Sequence, residues 1–121
     1  MTTRVLIVDD NRFLSEFMRL ALEEAGFQVD QAGDAVDLVD RCRSGHPDLV
    51  IADLDMPAGT GLDVVRVLHH ELPEVRVIAC SAEPGDEPLD RALREGAQGA
   101  LRMPFQVPEL VDLVDTVAVS S

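Results

Sequence analysis

The sequence contains no lysine: all 10 of its basic residues are arginines. That absence excludes a Schiff-base lysine, a Walker-type phosphate lysine and a lysine general base. Tryptophan and tyrosine are missing as well, and the 4 phenylalanines that remain are too few to build base-stacking platforms. Positive charge is scarce. Against 23 acidic residues it leaves a net charge of -13, a surface that repels phosphodiester backbones and argues against direct nucleic-acid binding. The 2 cysteines, Cys42 and Cys80, lack CxxC spacing, which suits a reducing cytosol and reads as two small buried hydrophobes. Long apolar runs are absent too. Val5 to Val8 and Leu49 to Ala52 are too short for a signal-peptide core or a membrane span, so a cytoplasmic protein without membrane partners is expected.

What is present fits one globular domain over residues 1–121, with 46% hydrophobic and 27% charged residues. Short β-branched runs alternate with stretches of helical period, which predicts βαβ units and a parallel sheet. Val5-Leu6-Ile7-Val8 stops at Asp9-Asp10, and an apolar face of Leu14, Phe17, Met18, Ala21, Leu22 and Ala25 follows, closed by Gly26. Phe27 to Ala32 reads as a second strand. Asp34 caps a helix on Ala35, Leu38, Val39 and Cys42, which Gly45 closes before His46-Pro47-Asp48 turns the chain. Leu49-Val50-Ile51-Ala52 is apolar without alternation, as a central strand buried on both faces would be, and it ends at Asp53. A Pro/Gly loop, a helix on Leu62, Val65, Leu68 and Leu72, a strand from Val75 to Ser81 and a helix from Asp86 to Gly96 come next. Gly99 to Met103 forms a fifth strand, and Pro108 opens a last helix on Leu110, Val111, Val114 and Val117. The expected architecture is a flavodoxin-like (βα)5 α/β domain with a doubly wound parallel sheet in the order 2-1-3-4-5.

In such a sheet ligands sit outside the carboxyl ends of the strands, which here carry Asp9, Asp10, Asp53 and Ser81. With the first and third strands adjacent, three carboxylates converge and raise one another's pKa unless a cation intervenes. Hard oxygen ligands with room for water describe a Mg²⁺ site. The alternative is that these acids only cap the helices that follow.

These residues resemble the receiver domains of two-component response regulators over the whole chain. The resemblance rests on Val5 to Asp10, on Asp53-Leu54-Asp55-Met56-Pro57 with Gly61 in register, on Cys80-Ser81-Ala82, and on Gly96-Ala97 before Pro104-Phe105. It implies that Asp53 accepts a phosphoryl group from a histidine kinase or histidine phosphotransfer protein. Asp10 would bind Mg²⁺ directly, Asp9 through water or as support, and Asp55 through its main-chain carbonyl. Ser81 would contact a phosphoryl oxygen and move the following loop, with the Ala82 backbone in support, while Glu83 and Asp55 would tune access of water. The donor would dock near Arg12, Phe13 and Leu14, where a core role for Phe13 is an open alternative. The output face would include Arg91, Arg94 and Leu101, meeting a protein effector or fused output domain, with a weak homodimer as a further possibility.

Two departures stand out. Where the family carries a lysine before the Pro-Phe pair, this chain has Met103, so a phosphoryl-binding cation is missing. Arg102 is adjacent, but neighbouring strand residues point to opposite faces. Three residues before Met103, Ala100 replaces an aromatic that rotates inward on activation. A working receiver and a phosphorylation-independent pseudo-receiver that docks proteins both remain open. Asp53-Leu54-Asp55 also resembles the Asp-x-Asp of haloacid-dehalogenase-type phosphatases, though 121 residues leave little room for a cap and the catalytic lysine is absent again. The domain is therefore expected to signal rather than to act as an enzyme. Gly59-Thr60-Gly61 reads as a simple loop, because Val64 stands where a dinucleotide fingerprint needs its third glycine. His69 and His70 read as surface residues at a helix end, and Glu83, Asp86, Glu87 and Asp90 as a solvated loop and helix start.

Overall fold

A computed structural model describes residues 2–57 and 60–119. Strands β1 (Arg4–Val8), β2 (Gln28–Ala32), β3 (Leu49–Asp53), β4 (Arg76–Ser81) and β5 (Gly99–Arg102) alternate with helices α1 (Arg12–Glu24), α2 (Ala35–Gly45), α3 (Thr60–Glu71), α4 (Glu87–Arg94) and α5 (Val107–Val119). All strand pairings are parallel, in the order β2-β1-β3-β4-β5. Every residue of β3 is buried, as its unbroken apolar run predicts for a strand covered on both faces. Gly59 of the expected loop lies outside the described residues. Thr60 and Gly61 do not stay in that loop but open α3.

The sheet divides the interior in two. Leu6, Val8, Val50, Val77 and Ala79 face α2, α3 and α4 with Leu38, Val65, Leu68 and Ala92. The alternate positions Val5, Ile7, Ile51, Ile78 and Cys80 face α1 and α5 with Met18, Leu22, Leu110 and Val114. Each large side chain buried this way contributes about 1.5–3 kcal/mol of transfer free energy. Local signals fix the helix starts: Asn11 Oδ1 accepts from the Leu14 N–H at 3.1 Å and Asp34 Oδ1 from the Asp37 N–H at 2.8 Å.

Three expectations need correction. The helix closure expected at Gly45 falls one residue later, on His46 with φ 45°, because Gly45 stays helical and its carbonyl accepts from Arg4 Nη1 at 2.7 Å. Leu101 is not an output contact: it is 4% exposed and packs in the α1/α5 core. Phe17 is not core but half exposed, since Ser15, Met18 and Leu22 already fill the inward face of α1.

Candidate functional site

β1, β3 and β4 end side by side, Val8 paired with Ala52 and Asp53 with Cys80. The pleat then places Asp9, Asp53 and Cys80 on the face of Ile7, Ile51 and Ile78. Their carboxylate oxygens and the sulfur lie within 4.8 Å of one another, and all three residues are buried. Asp9 Oδ1 accepts from the Asn11 N–H and Asp53 Oδ1 from the Asp55 N–H, both at 2.8 Å. Asp9 Oδ2 is fully buried and has no hydrogen-bond partner among the described residues.

Burial of two carboxylates in contact has the expected electrostatic cost, with a different leading cause. Loss of water, more than mutual repulsion, pushes Asp53 up to about 7; the Asp55 N–H opposes the shift and the Asp9 charge adds to it. Burial likewise raises Asp9, against the pull of the Asn11 N–H. The Cys80 thiol is raised well above its ordinary value by burial and then by the nearby acids, so it stays protonated and inert at neutral pH. An orphaned buried oxygen beside a second destabilised carboxylate fits a hard divalent cation, and oxygen donors of this kind suit Mg²⁺.

The expected third carboxylate, that of Asp10, does not join the buried group, which is Asp9, Asp53 and Cys80. Asp10 is exposed and shares with Asp9, Arg12, Phe13 and Gln31 an open cavity of about 810 Å³. Ser81 is 1% exposed, and its hydroxyl donates to Asp55 Oδ1 at 2.7 Å. The Ala82 N–H donates to Asp55 Oδ2 at 2.7 Å, and the Glu83 N–H to Ser81 Oγ at 3.0 Å. Met103 is half-buried and packs with Phe105 against the α1/α5 core, so no cation stands at its position. Arg102 lies opposite, paired with Ser81 across the strands. Its guanidinium bonds Asp86 Oδ1 at 2.7 Å and the Glu83 carbonyl at 3.4 Å, not the buried acids. Ala100 is half-buried against the α2–α4 core, a methyl where an aromatic switch would need a ring.

Phe13 is 91% exposed, and Phe17 and Leu20 continue an apolar stripe along α1 at spacings of four and three. The core alternative for Phe13 is thereby removed. Arg91 and Arg94 are exposed on α4. Two features escaped the sequence reading: the hydrogen bonds of the Asp55 side chain to Ser81 and Ala82, and the closeness of Cys80 to the acids. The second was legible in the pairing of Asp53 with Cys80; the first joins two loops that carry no periodic signal.

A doubly wound sheet with a buried acid pair at its carboxyl edge and a hydroxyl on the next strand places its polar groups where open α/β sheets bind their ligands. The family model for the response regulator receiver domain matches residues 5–115, and the chain belongs to that family. It is 31% identical over 117 residues to the chemotaxis protein CheY of Halobacterium salinarum, covering 97% of this chain and 98% of the relative. It is 33% identical over 107 residues to the probable transcriptional regulatory protein TcrX of Mycobacterium tuberculosis, covering 88% of this chain and 46% of TcrX. The crystal structure of a response regulator from Thermotoga maritima superposes with a TM-score of 0.90 at 26% identity, covering 99% of this chain and 100% of that one. The flavodoxin-like fold and the two-component receiver reading both stand, and the phosphatase reading of Asp53-Leu54-Asp55 gives way to them. Among the described residues, no helix is long and apolar enough to cross a membrane.

Proposed function

We propose that this receiver accepts a phosphoryl group on Asp53 from a phosphohistidine donor and changes its protein contacts in response. The observation that carries the reading is the buried Asp9–Asp53 pair at the edge of the sheet, to which the Ser81 hydroxyl is linked through Asp55, whose N–H holds Asp53. In its ionised form, Asp53 supplies an oxygen that bonds phosphorus as the phosphorus–nitrogen bond of the donor breaks and the imidazole leaves with the electron pair. Asp10 and Asp53, the Asp55 carbonyl and, through water, Asp9 would hold Mg²⁺, which when bound neutralises the carboxylates and the phosphoryl oxygens. Ser81 and the Ala82 N–H are the donors placed to hold phosphoryl oxygens. The exposed stripe of Phe13, Phe17 and Leu20 beside Asp10 supports donor docking on α1, with aromatic anchors of the kind that dominate interface energetics. Output passes to a protein effector or a fused output domain through the face that carries Arg91 and Arg94.

Intact-protein mass after incubation with Mg²⁺ and acetyl phosphate tests this reading. Wild type gains one phosphoryl adduct and Asp53→Asn gains none; no adduct, either with acetyl phosphate or with a histidine-kinase donor, overturns it. A pseudo-receiver that docks partners without phosphorylation is the second reading. It is favoured by Met103, which leaves the site without the cation that would stabilise an anionic phosphoryl group. The ligand roles have their own check. Asp10→Asn weakens Mg²⁺ binding about tenfold or more in calorimetry, while Asp55→Ala, which keeps its carbonyl, changes it far less. Equal losses would discard the assignment.

A further inference from the structure

The donors that a phosphoryl group would need are already engaged. Asp55 grips the Ser81 hydroxyl with one carboxylate oxygen and the Ala82 N–H with the other, each at 2.7 Å. The Glu83 N–H donates to Ser81 Oγ, so the serine oxygen receives one hydrogen bond and directs its own proton at Asp55. The two sides of this contact differ in exposure. Ser81 is buried, fixed at the end of β4, whereas Asp55 is exposed in the loop after β3 and regains water when it lets go. An anion held by both oxygens on a hydroxyl and a main-chain amide mimics what a phosphoryl group would do with two of its own.

We propose that the Asp55 side chain is a built-in competitor for the phosphoryl group. It occupies the Ser81 hydroxyl and the Ala82 N–H in the resting protein and must leave them before a phosphoryl group on Asp53 can take them. This rests on the receiver reading above and deepens it. Asp55 acts as a positioning residue, holding Ser81 in place and handing its donors over in exchange. Phosphoryl capture is then a swap of one anion for another on the same donors, and its rate includes the release of Asp55.

The test follows adduct formation from acetyl phosphate and Mg²⁺ in wild type, Asp55→Ala, Ser81→Ala and the double variant. Asp55→Ala gains the adduct about 5- to 20-fold faster, the factor expected when a grip that regains water on release is worth in net about one hydrogen bond. In the Ser81→Ala background, where half of the grip is already gone, the gain from Asp55→Ala falls to about the square root of that factor or less. A gain of the same size in both backgrounds means that Asp55 only repels the anionic donor through space, and overturns the proposal. Hydrogen exchange supplies a readout independent of phosphorylation: the Ala82 amide exchanges about tenfold faster in Asp55→Ala, while amides inside β4 keep their rates. Unchanged exchange at Ala82 overturns the proposal whatever the adduct rates. Accelerated exchange with no adduct on any protein would instead sink the receiver reading, and the competition with it, while establishing the contact.

Discussion

Replacing Gly61 with alanine is expected to destabilise the protein by about 3 kcal/mol or more, against the usual direction for a helical glycine. Elsewhere in a helix this substitution stabilises by about 0.5–1 kcal/mol through backbone entropy. At Gly61 the new Cβ would stand 2.0 Å from the Asp53 carbonyl oxygen, 2.7 Å from its carbonyl carbon and 2.8 Å from Leu54 Cα. These are main-chain atoms at the end of a fully buried strand, so no side chain can rotate away. Either α3 backs off its packing of Val64, Val65 and Leu68, or the main chain of Asp53 and Leu54 moves. Gly33→Ala is the control, since its nearest neighbour is the Asp37 carboxylate at 3.9 Å, an ordinary contact. Urea unfolding followed by circular dichroism reads both. A Gly61→Ala midpoint no lower than that of Gly33→Ala would show that α3 does not approach β3 this closely.

The second large effect is on the pH dependence of stability without metal. Asp53 is raised from 3.8 to about 7 in the folded chain, so between those values the folded protein holds a proton that the unfolded chain has released. Folding stability from this group is therefore complete below pH 3.8 and is lost as pH rises through about 7. Asp53→Asn, which keeps an oxygen for the Asp55 N–H, cannot ionise and escapes the loss. In the absence of divalent ions it should be more stable than wild type by about 1–2 kcal/mol at about pH 8, after allowance for partial solvent screening, and about equal at about pH 4. The lowered carboxyls of Glu16, Asp37 and Glu95 give slopes of opposite sign, but they are common to both proteins and cancel in the difference. Thermal melts across this range measure that difference; one that does not grow with pH would mean that Asp53 ionises as freely folded as unfolded.

The sheet was legible because its signal is local and strong. The apolar run of β3 and the acids that stop β1 and β3 need no knowledge of distant residues, and they locate the Asp9–Asp53 pair correctly. Surface assignments were harder. Helix α1 carries more apolar residues than its inward face can bury, so periodicity did not separate Phe17 from Met18. Leu101 lies in a strand of only four residues, too short for alternation to decide its side. The mutual repulsion that raises the Asp53 pKa was legible, but its larger cause was not, because charge can be counted in a sequence and desolvation cannot. The grip of Asp55 on Ser81 spans 26 positions and joins the end of a strand to a loop, where no pattern announces a partner.

Arg102 does not reach the buried acids, but its anchorage has a mechanical meaning. It ties the edge strand β5 to the carbonyl of Glu83 and to Asp86, the residue before α4. The Glu83 amide in turn holds the Ser81 hydroxyl. A displacement at Ser81 is thus geared to the start of α4 through main-chain and guanidinium bonds, with no ring required to turn inside the protein. Arg102 and Asp86 are exposed, so the gear is soft and slips under a modest load rather than locking. Salt that screens the exposed Arg102–Asp86 pair therefore loosens the tie between β5 and the start of α4, while the packing of Ala100 is untouched.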